Sequence, residues 1–372
     1  MRLVTKVASG CVSLTTAPGH AFVYAADGTG TIHVLGSQGE TVHTKVKNPD
    51  GAYNLALMKG NTRLMYTGFH QRHVEWREVK QSGRFPAGGM HAFPADESTV
   101  ICTGVSPDGR VVAAGHAAGK IGLYRFGDHG RSLNRLQYRC HVEIPGRPRV
   151  NCLGMSGATR TFLTAAWENR ACVMMLQGDS PPAVIGDVTP GLKFREIARH
   201  ARDAAYAILD DSRLLRVAIN EGEGDGEAAW FPTLGAPDLV RVPGGPSLVS
   251  IAVSPCGGFV AVGADYNQEY GAVLLYDATD LRPLAMFDTS SEPTALEFAE
   301  FVTTEILHDP YAPVDHTELA LFSGHDNGQV IKWYISRQLQ WLSRIAERPS
   351  GRRAEPTDPG YTGGAPERAL DI

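Results

Sequence analysis

The chain has 372 residues, 43% of them hydrophobic and 20% charged, with 41 glycines, 23 prolines and a net charge of −5. That length buries a sizeable core in one large domain or two ordinary ones, and so much glycine and proline argues against long helices or coiled coil. Glycine, proline or charge interrupts every apolar stretch before it reaches the roughly 18 residues of a membrane-spanning helix.

The first twenty residues hold Arg2 and Lys6 and no acid, which fits a short mitochondrial presequence. A competing reading takes residues 3–8 as a β-strand, with Leu3, Thr5 and Val7 on one side and Val4 and Lys6 on the other. From there one unit recurs: a β-like run, a Pro/Gly turn, a small-apolar strand closing on Ala or Gly, a short polar turn and a further strand. Residues 106–126 show it best, as SPDGRVVAAGHAAGKIGLYRF, with turn chemistry on both sides of the hairpin. Residues 18–36, 254–277 and 316–335 repeat it clearly, and 60–79, 157–176 and 201–219 more weakly. Runs at 12–14, 54–57, 100–104, 151–154, 194–198, 248–253 and 295–301 precede these hairpins, and a fourth run follows most of them, as at 41–46, 135–141, 239–242 and 284–287. Seven units of four antiparallel strands follow. Their markers, Ala26, Gly68, Gly115, Ala165, Ile208, Gly263 and Gly324, lie 42 to 61 residues apart. Such units typically take roughly 40–45 residues, so the longer spacings predict surface insertions.

The run Leu321-Phe-Ser323-Gly-His325-Asp326-Asn-Gly-Gln-Val-Ile-Lys-Trp333 resembles a WD repeat, and Tyr276-Asp277 resembles the terminal dipeptide of that family. The resemblance spans about residues 1–335. It implies an all-β fold, a single seven-bladed β-propeller of four-stranded antiparallel blades. It further implies that Ser323, Asp326 and Trp333 form a buried structural network, Asp326 supplying the carboxylate, although no histidine stands near Pro293 where the family has one. Blade 7 has three strands of its own, so residues 3–8 are expected to supply the fourth and close the ring.

Insertions are expected at 84–97, 221–227 and 303–315, and a lengthened turn at 266–270. The acidic 221–227 stretch, EGEGDGE, lacks the ligand spacing of an EF-hand and reads as a solvated loop. Residues 336–347 place Leu339, Leu342, Ile345 and Ala346 at helical spacing between Ser336 as N-cap and Pro349 beyond, which predicts a short amphipathic helix, either packed on the rim or binding a partner. Residues 348–372, rich in Pro, Gly and charge, are expected to be disordered.

Charge divides along the chain, +9 over residues 1–170 and −14 over 171–372. Arg125, Arg131, Arg135, Arg139, Arg147 and Arg149 concentrate on the edge of blade 3 and its exit loop, either to meet an acidic protein or RNA or simply to solvate an edge strand.

Thirteen histidines form no HxH or HExxH set, and His70 and His73 sit in a turn without a third ligand. Neither GxSxG nor a phosphate-binding glycine loop occurs. The six cysteines (Cys11, Cys102, Cys140, Cys152, Cys172, Cys256) show no CxxC, so no disulfide framework or zinc knuckle is expected, and a reducing compartment, cytoplasm or nucleus, fits. No cofactor, metal or small-molecule substrate is called for. The remaining enzymatic reading is a lactonase-like propeller, for which the turns at 106–110 and 254–260 would speak.

The favoured reading is a non-catalytic interaction scaffold or adaptor within a multi-subunit complex, with RNA association through the basic half as the alternative. The docking face is expected at the turns joining second and third strands, which carry Phe69, His70, Arg72, His116, Trp167, Asn169, Arg170, Asp210, Arg213, Tyr266, Tyr270 and His325. Aromatic and arginine side chains there exceed what a hairpin needs and match the composition of interface hot spots.

Overall fold

The structure, a computed structural model, describes residues 2–16, 22–36, 41–47, 51–57, 63–68, 71–80, 82–86, 91–92, 98–106, 109–126, 136–144, 146, 148–157, 160–176, 182–188, 191, 193–198, 200–201, 204–220, 232–266, 270–305 and 314–335. The 221–227 loop and the expected helix and tail (336–347, 348–372) lie outside the described residues.

Seven antiparallel sheets follow one another as blades. Blade 1 runs Cys11–Thr15, Phe22–Asp27, Thr31–Gly36, Thr41–Lys47, each strand bonded to the next, and blade 3 repeats the order with Val100–Val105, Val111–His116, Lys120–Phe126 and Leu136–Glu143. The first strand of each blade lies at the axis. Small side chains on the second strands, such as Ala25, Ala26, Ala113, Ala114, Ala165 and Ala166, are fully buried and let neighbouring blades pack closely. Large residues fill the wedges between blades: Tyr24, Leu55 and Tyr66 between blades 1 and 2, and Phe298, Leu321 and Trp333 against Ala261 and Leu275 between blades 7 and 6.

Blade 7 consists of Ala295–Glu305, Val314–Gly324, Gln329–Tyr334 and the N-terminal strand Arg2–Lys6, which pairs antiparallel with the third of these, Leu3 opposite Ile331 and Lys6 opposite Gln329. Val7 leaves that strand, its N–H donating to the Gly328 carbonyl at 2.8 Å. A Cβ on Gly328 would lie 2.6 Å from the Val7 carbonyl oxygen, and its φ is +82°, so this junction requires glycine. Behind it Val7, Cys11, Leu14 and Val23 pack on Ala299, Phe301 and Phe322, which seals blade 1 to blade 7. The N-terminal strand therefore fastens the first blade to the last.

Three stretches depart from the sequence expectation. Residues 303–315 were expected as an insertion, yet the first hairpin of blade 7 continues its ladder through Thr303↔His316 and Thr304↔Asp315 to Glu305↔Val314, giving two strands of 11 residues. The ladder thus takes in the two ends of the expected insertion, while its two prolines fall within 306–313, outside the described residues. Within 84–97, Phe85 folds back against the blade 1–2 core, its ring 6.2 Å from that of Tyr24, and the fourth strand of blade 2 shrinks to His91–Ala92. In the blade 4 sheet, His200–Ala201 adds a short parallel pairing beside Cys152–Ser156.

Candidate docking face

In an antiparallel meander, the turns from second to third strand and the connections between blades emerge at the same end. Of the three residues expected in the structural network, Ser323 and Trp333 stand where expected. The Trp333 indole N–H donates to Ser323 Oγ at 2.9 Å, and Ser323 Oγ lies 2.9 Å from His325 Nε2. The Ser291 carbonyl can only accept, so Nδ1–H donates to it at 3.1 Å, and in the neutral ring Nε2 accepts from the Ser323 hydroxyl. Burial holds the His325 imidazole below its ordinary pKa against the opposing pull of the Ser291 hydrogen bond and Asp326, consistent with that neutral tautomer.

Asp326 is not the buried carboxylate of this network. It is exposed, and only its backbone N–H, donating to the Glu292 carbonyl at 3.1 Å, ties it down. The turn closed by Gly328 N–H on the His325 carbonyl at 3.0 Å rotates Asp326 outward and leaves the inner position to His325, which is fully buried. His325 is accordingly not a docking residue. Neither is His116, its counterpart in blade 3, which is 1% exposed with Nδ1 3.0 Å from the Ser98 carbonyl. A buried carboxylate does occupy the matching turn of blade 1. Asp27 accepts hydrogen bonds from the Thr29 N–H (2.9 Å), Thr29 Oγ1 (2.6 Å) and Thr31 N–H (3.0 Å), and its other oxygen lies 3.0 Å from His33 Nε2. Burial works against its ionisation, but these bonds outweigh it and hold the carboxyl below its ordinary range.

The other residues expected on the face divide by exposure. Arg72, Asn169, Arg170, Asp210 and Tyr270 are exposed, whereas Arg213 and Tyr266 are half-buried. Trp167 is half-buried as well and packs on the core between blades 3 and 4. Phe69 and His70 lie outside the described residues. Much of the remaining charge is paired within the protein: Asp210 accepts from Arg195 Nε at 3.0 Å with Lys193 Nζ at 3.6 Å, and Asp211 binds Arg213. Surface pairs of this kind contribute little stability but fix the turn.

The basic edge does not form one patch among the described residues. Arg125 pairs with Val111 at the far end of blade 3, while Arg149 is exposed on the connection to blade 4, at the docking end. The Arg139 side chain and residues Arg131, Arg135 and Arg147 lie outside the described residues.

The first strands of all seven blades enclose an axial cavity of about 260 Å³, with Val12, Asn54, Thr103, Asn151, Arg195 and Glu297 in its wall. Its polar groups are stitched into the ring. Asn54 Nδ2 donates to Thr67 Oγ1 at 3.2 Å and to the Ile101 carbonyl at 3.3 Å, and Thr103 Oγ1 donates to the Asn54 carbonyl at 3.3 Å. Arg195 Nη1 reaches Ser247 Oγ and the Leu248 carbonyl, joining blade 5 to blade 6. Burial pushes the Cys102 thiol in the same wall up to about 12, which keeps it protonated and a poor nucleophile. Among the described residues no histidine lines this cavity, and no three His, Cys, Asp or Glu side chains stand together as a metal site. No helix among them is long and apolar enough to cross a membrane.

Asn54, Arg195 and Asp27 were not singled out from sequence. Asp27 had a signal, the Asp-Gly-Thr-Gly turn; Asn54 had none, since its φ of +51° at a register shift appears only in the folded ladder.

The fold is that of known propellers. The β-propeller domain of Cps50 (Swd1) from Myceliophteria thermophila superposes with a TM-score of 0.63 over 90% of this chain and 99% of that one, at 11% sequence identity. No family model and no curated protein matches the sequence. At this identity the likeness speaks for the seven-bladed architecture.

Proposed function

We propose that the chain is a non-catalytic interaction scaffold that docks protein partners on the turn face, as an adaptor within a larger assembly. The observation that carries this reading is the contrast between cavity and face. Asn54, Thr103 and Arg195 at the axis are engaged in holding blades together, whereas Arg72, Asn169, Arg170 and Tyr270 stand exposed on a closed ring. Catalysis would need a convergent acid, base or nucleophile instead.

Capture of partners on the purified full chain, read by mass spectrometry, tests this. Arg72→Glu with Arg170→Glu should abolish recovery of the partners that the wild type retains, and Arg125→Glu, at the opposite end of the ring, should leave recovery intact. Equal recovery by all three proteins would overturn the reading. RNA is the second arm: retention of RNA on filters at low salt, lost in Arg149→Glu, would move the assignment to a nucleic-acid partner.

A further inference from the structure

At the docking end, the wedge between blades 3 and 4 gathers an indole and two guanidinium groups over one core. Trp167 closes the second strand of blade 4, is half-buried, and packs on the cluster that holds Cys102, Ile144 and Val150. Arg170 opens the third strand directly opposite Trp167 in register. Cross-strand partners project from the same face of a sheet, so Arg170 stands on the blade 3 side as Trp167 does. The connection from blade 3 crosses at this point. Val150 N–H donates to the His116 carbonyl at 3.3 Å and Asn151 N–H to the Ala166 carbonyl at 2.8 Å, which pins Arg149 between the two turns. The field of Arg149 reaches the Cys102 thiol of the same core, so its charge belongs to this wedge.

Arg149 and Arg170 are both exposed, and neither forms an ion pair among the described residues. The next cations round the ring are already matched: Lys193 and Arg195 hold Asp210, and Arg213 holds Asp211. Glu168, at the tip of the same hairpin, is exposed, and its carbonyl is turned to the Phe194 N–H on the blade 5 side. Two guanidinium groups without counter-charge beside a half-buried indole attract carboxylates, and the apolar base strengthens each pair relative to open water. Glu168, Asp210 and Asp211 interrupt the positive charge toward blade 5. The sector is therefore too short for the continuous phosphate track of a nucleic acid and suits a short run of acidic side chains.

We propose that the wedge between blades 3 and 4 receives an acidic segment of a protein partner, its carboxylates pairing with Arg149 and Arg170 while an apolar side chain covers the open part of Trp167. This rests on the docking-face reading above and adds the partner's chemistry.

Fluorescence anisotropy of fluorescein-labelled (Gly-Glu-Leu-Glu)₃ with the full chain tests it, with (Gly-Glu-Gly-Glu)₃ and (Gly-Lys-Leu-Lys)₃ beside it. The first peptide should bind at low salt, the second more weakly and the third not at all. Arg149→Gln and Arg170→Gln should each weaken binding of the first at least about fivefold at an unchanged melting temperature. Arg241→Gln, which removes the same charge from an exposed position in the outer strand of blade 5, should not. Equal loss in Arg241→Gln would reduce the effect to net charge. That result, no binding at low salt, equal affinity with and without leucine, or indifference to both arginines would overturn the inference. Displacement of the peptide by an oligouridylate at a lower concentration than by unlabelled peptide would overturn it in favour of a nucleic acid. If any of these happens while partner capture still depends on Arg72 and Arg170, only the partner's chemistry falls; if capture is indifferent to those arginines, the docking-face reading falls and this inference with it.

Discussion

Blades 7 and 3 place a buried histidine at the same turn position and treat it differently. His325 follows Ser323 by two residues and precedes Trp333 by eight, and the three form one hydrogen-bonded chain. His116 follows Ala114 by two and precedes Tyr124 by eight, in the same register, Tyr124 opposite Val112 as Trp333 is opposite Leu321. With a methyl group where blade 7 has a hydroxyl, His116 Nε2 is buried with no hydrogen-bond partner among the described residues. Nδ1–H is held by the Ser98 carbonyl, so Nε2 is a bare acceptor facing no donor. The histidine thus keeps its place by burial and one bond, and the full network is a local supplement that single blades can lose.

The largest effect should come from Trp333→Ala. It removes the ring stacked at 4.9 Å on Phe287 as well as the hydrogen bond to Ser323, and should cost about 3–5 kcal/mol in denaturant unfolding. Tyr124→Ala, at the matching position of blade 3 where Ala114 stands in place of the Ser323 hydroxyl, should cost less; equal losses would mean that the Ser323 bond adds nothing to packing. Ser323→Ala turns blade 7 into blade 3, stranding His325 Nε2 and the Trp333 N–H in the interior, and should cost about 1–3 kcal/mol. The reverse exchange, Ala114→Ser, supplies the missing donor to His116 and should add about 0.5–1.5 kcal/mol; destabilisation would show that the site between blades lacks room for the oxygen.

A pH series separates the histidine from its neighbours. The folded-state pKa of His325 lies below its unfolded value, so the unfolded chain binds more protons between the two. The contribution of His325 is therefore fully present above about pH 6.5 and is lost as pH falls below it. Melting temperatures from pH 7.5 to 5.5 should fall more steeply in the wild type than in His325→Gln, and parallel slopes would remove the histidine from the account. The smallest effect belongs to Asp326→Ala, which should change stability by no more than about 0.5 kcal/mol, because the exposed carboxylate holds nothing inside. A loss above about 1 kcal/mol would restore the carboxylate role that the resemblance implied.

The repeats were legible because turn chemistry and period-2 alternation are local. Ser106-Pro-Asp-Gly109 and Ser254-Pro-Cys-Gly257 close their hairpins through the serine hydroxyl, which accepts from Val111 N–H and Phe259 N–H at 2.9 Å. The face was half legible. Arg72, Arg170 and Tyr270 are exposed as a turn position implies, whereas His116 and His325, at equally turn-like positions, point inward. The short polar turn itself reads the same in both cases; what differs is whether the connection entering the blade presents a carbonyl, Ser98 or Ser291, to capture the ring.

The sequence alone determined the number of units, the consecutive hairpin strands within them and the hairpin turns, since each depends on residues within about a dozen positions of one another. Only the tertiary structure decided that Asp326 yields its inner position to His325, that Phe85 packs against blade 1, and that Tyr266 is tied to the Pro243 carbonyl with Tyr270 stacked on it. These outcomes depend on which blade lies beside which and on the tightness of a single turn, and the close packing between blades admits only one arrangement of the side chains that meet there.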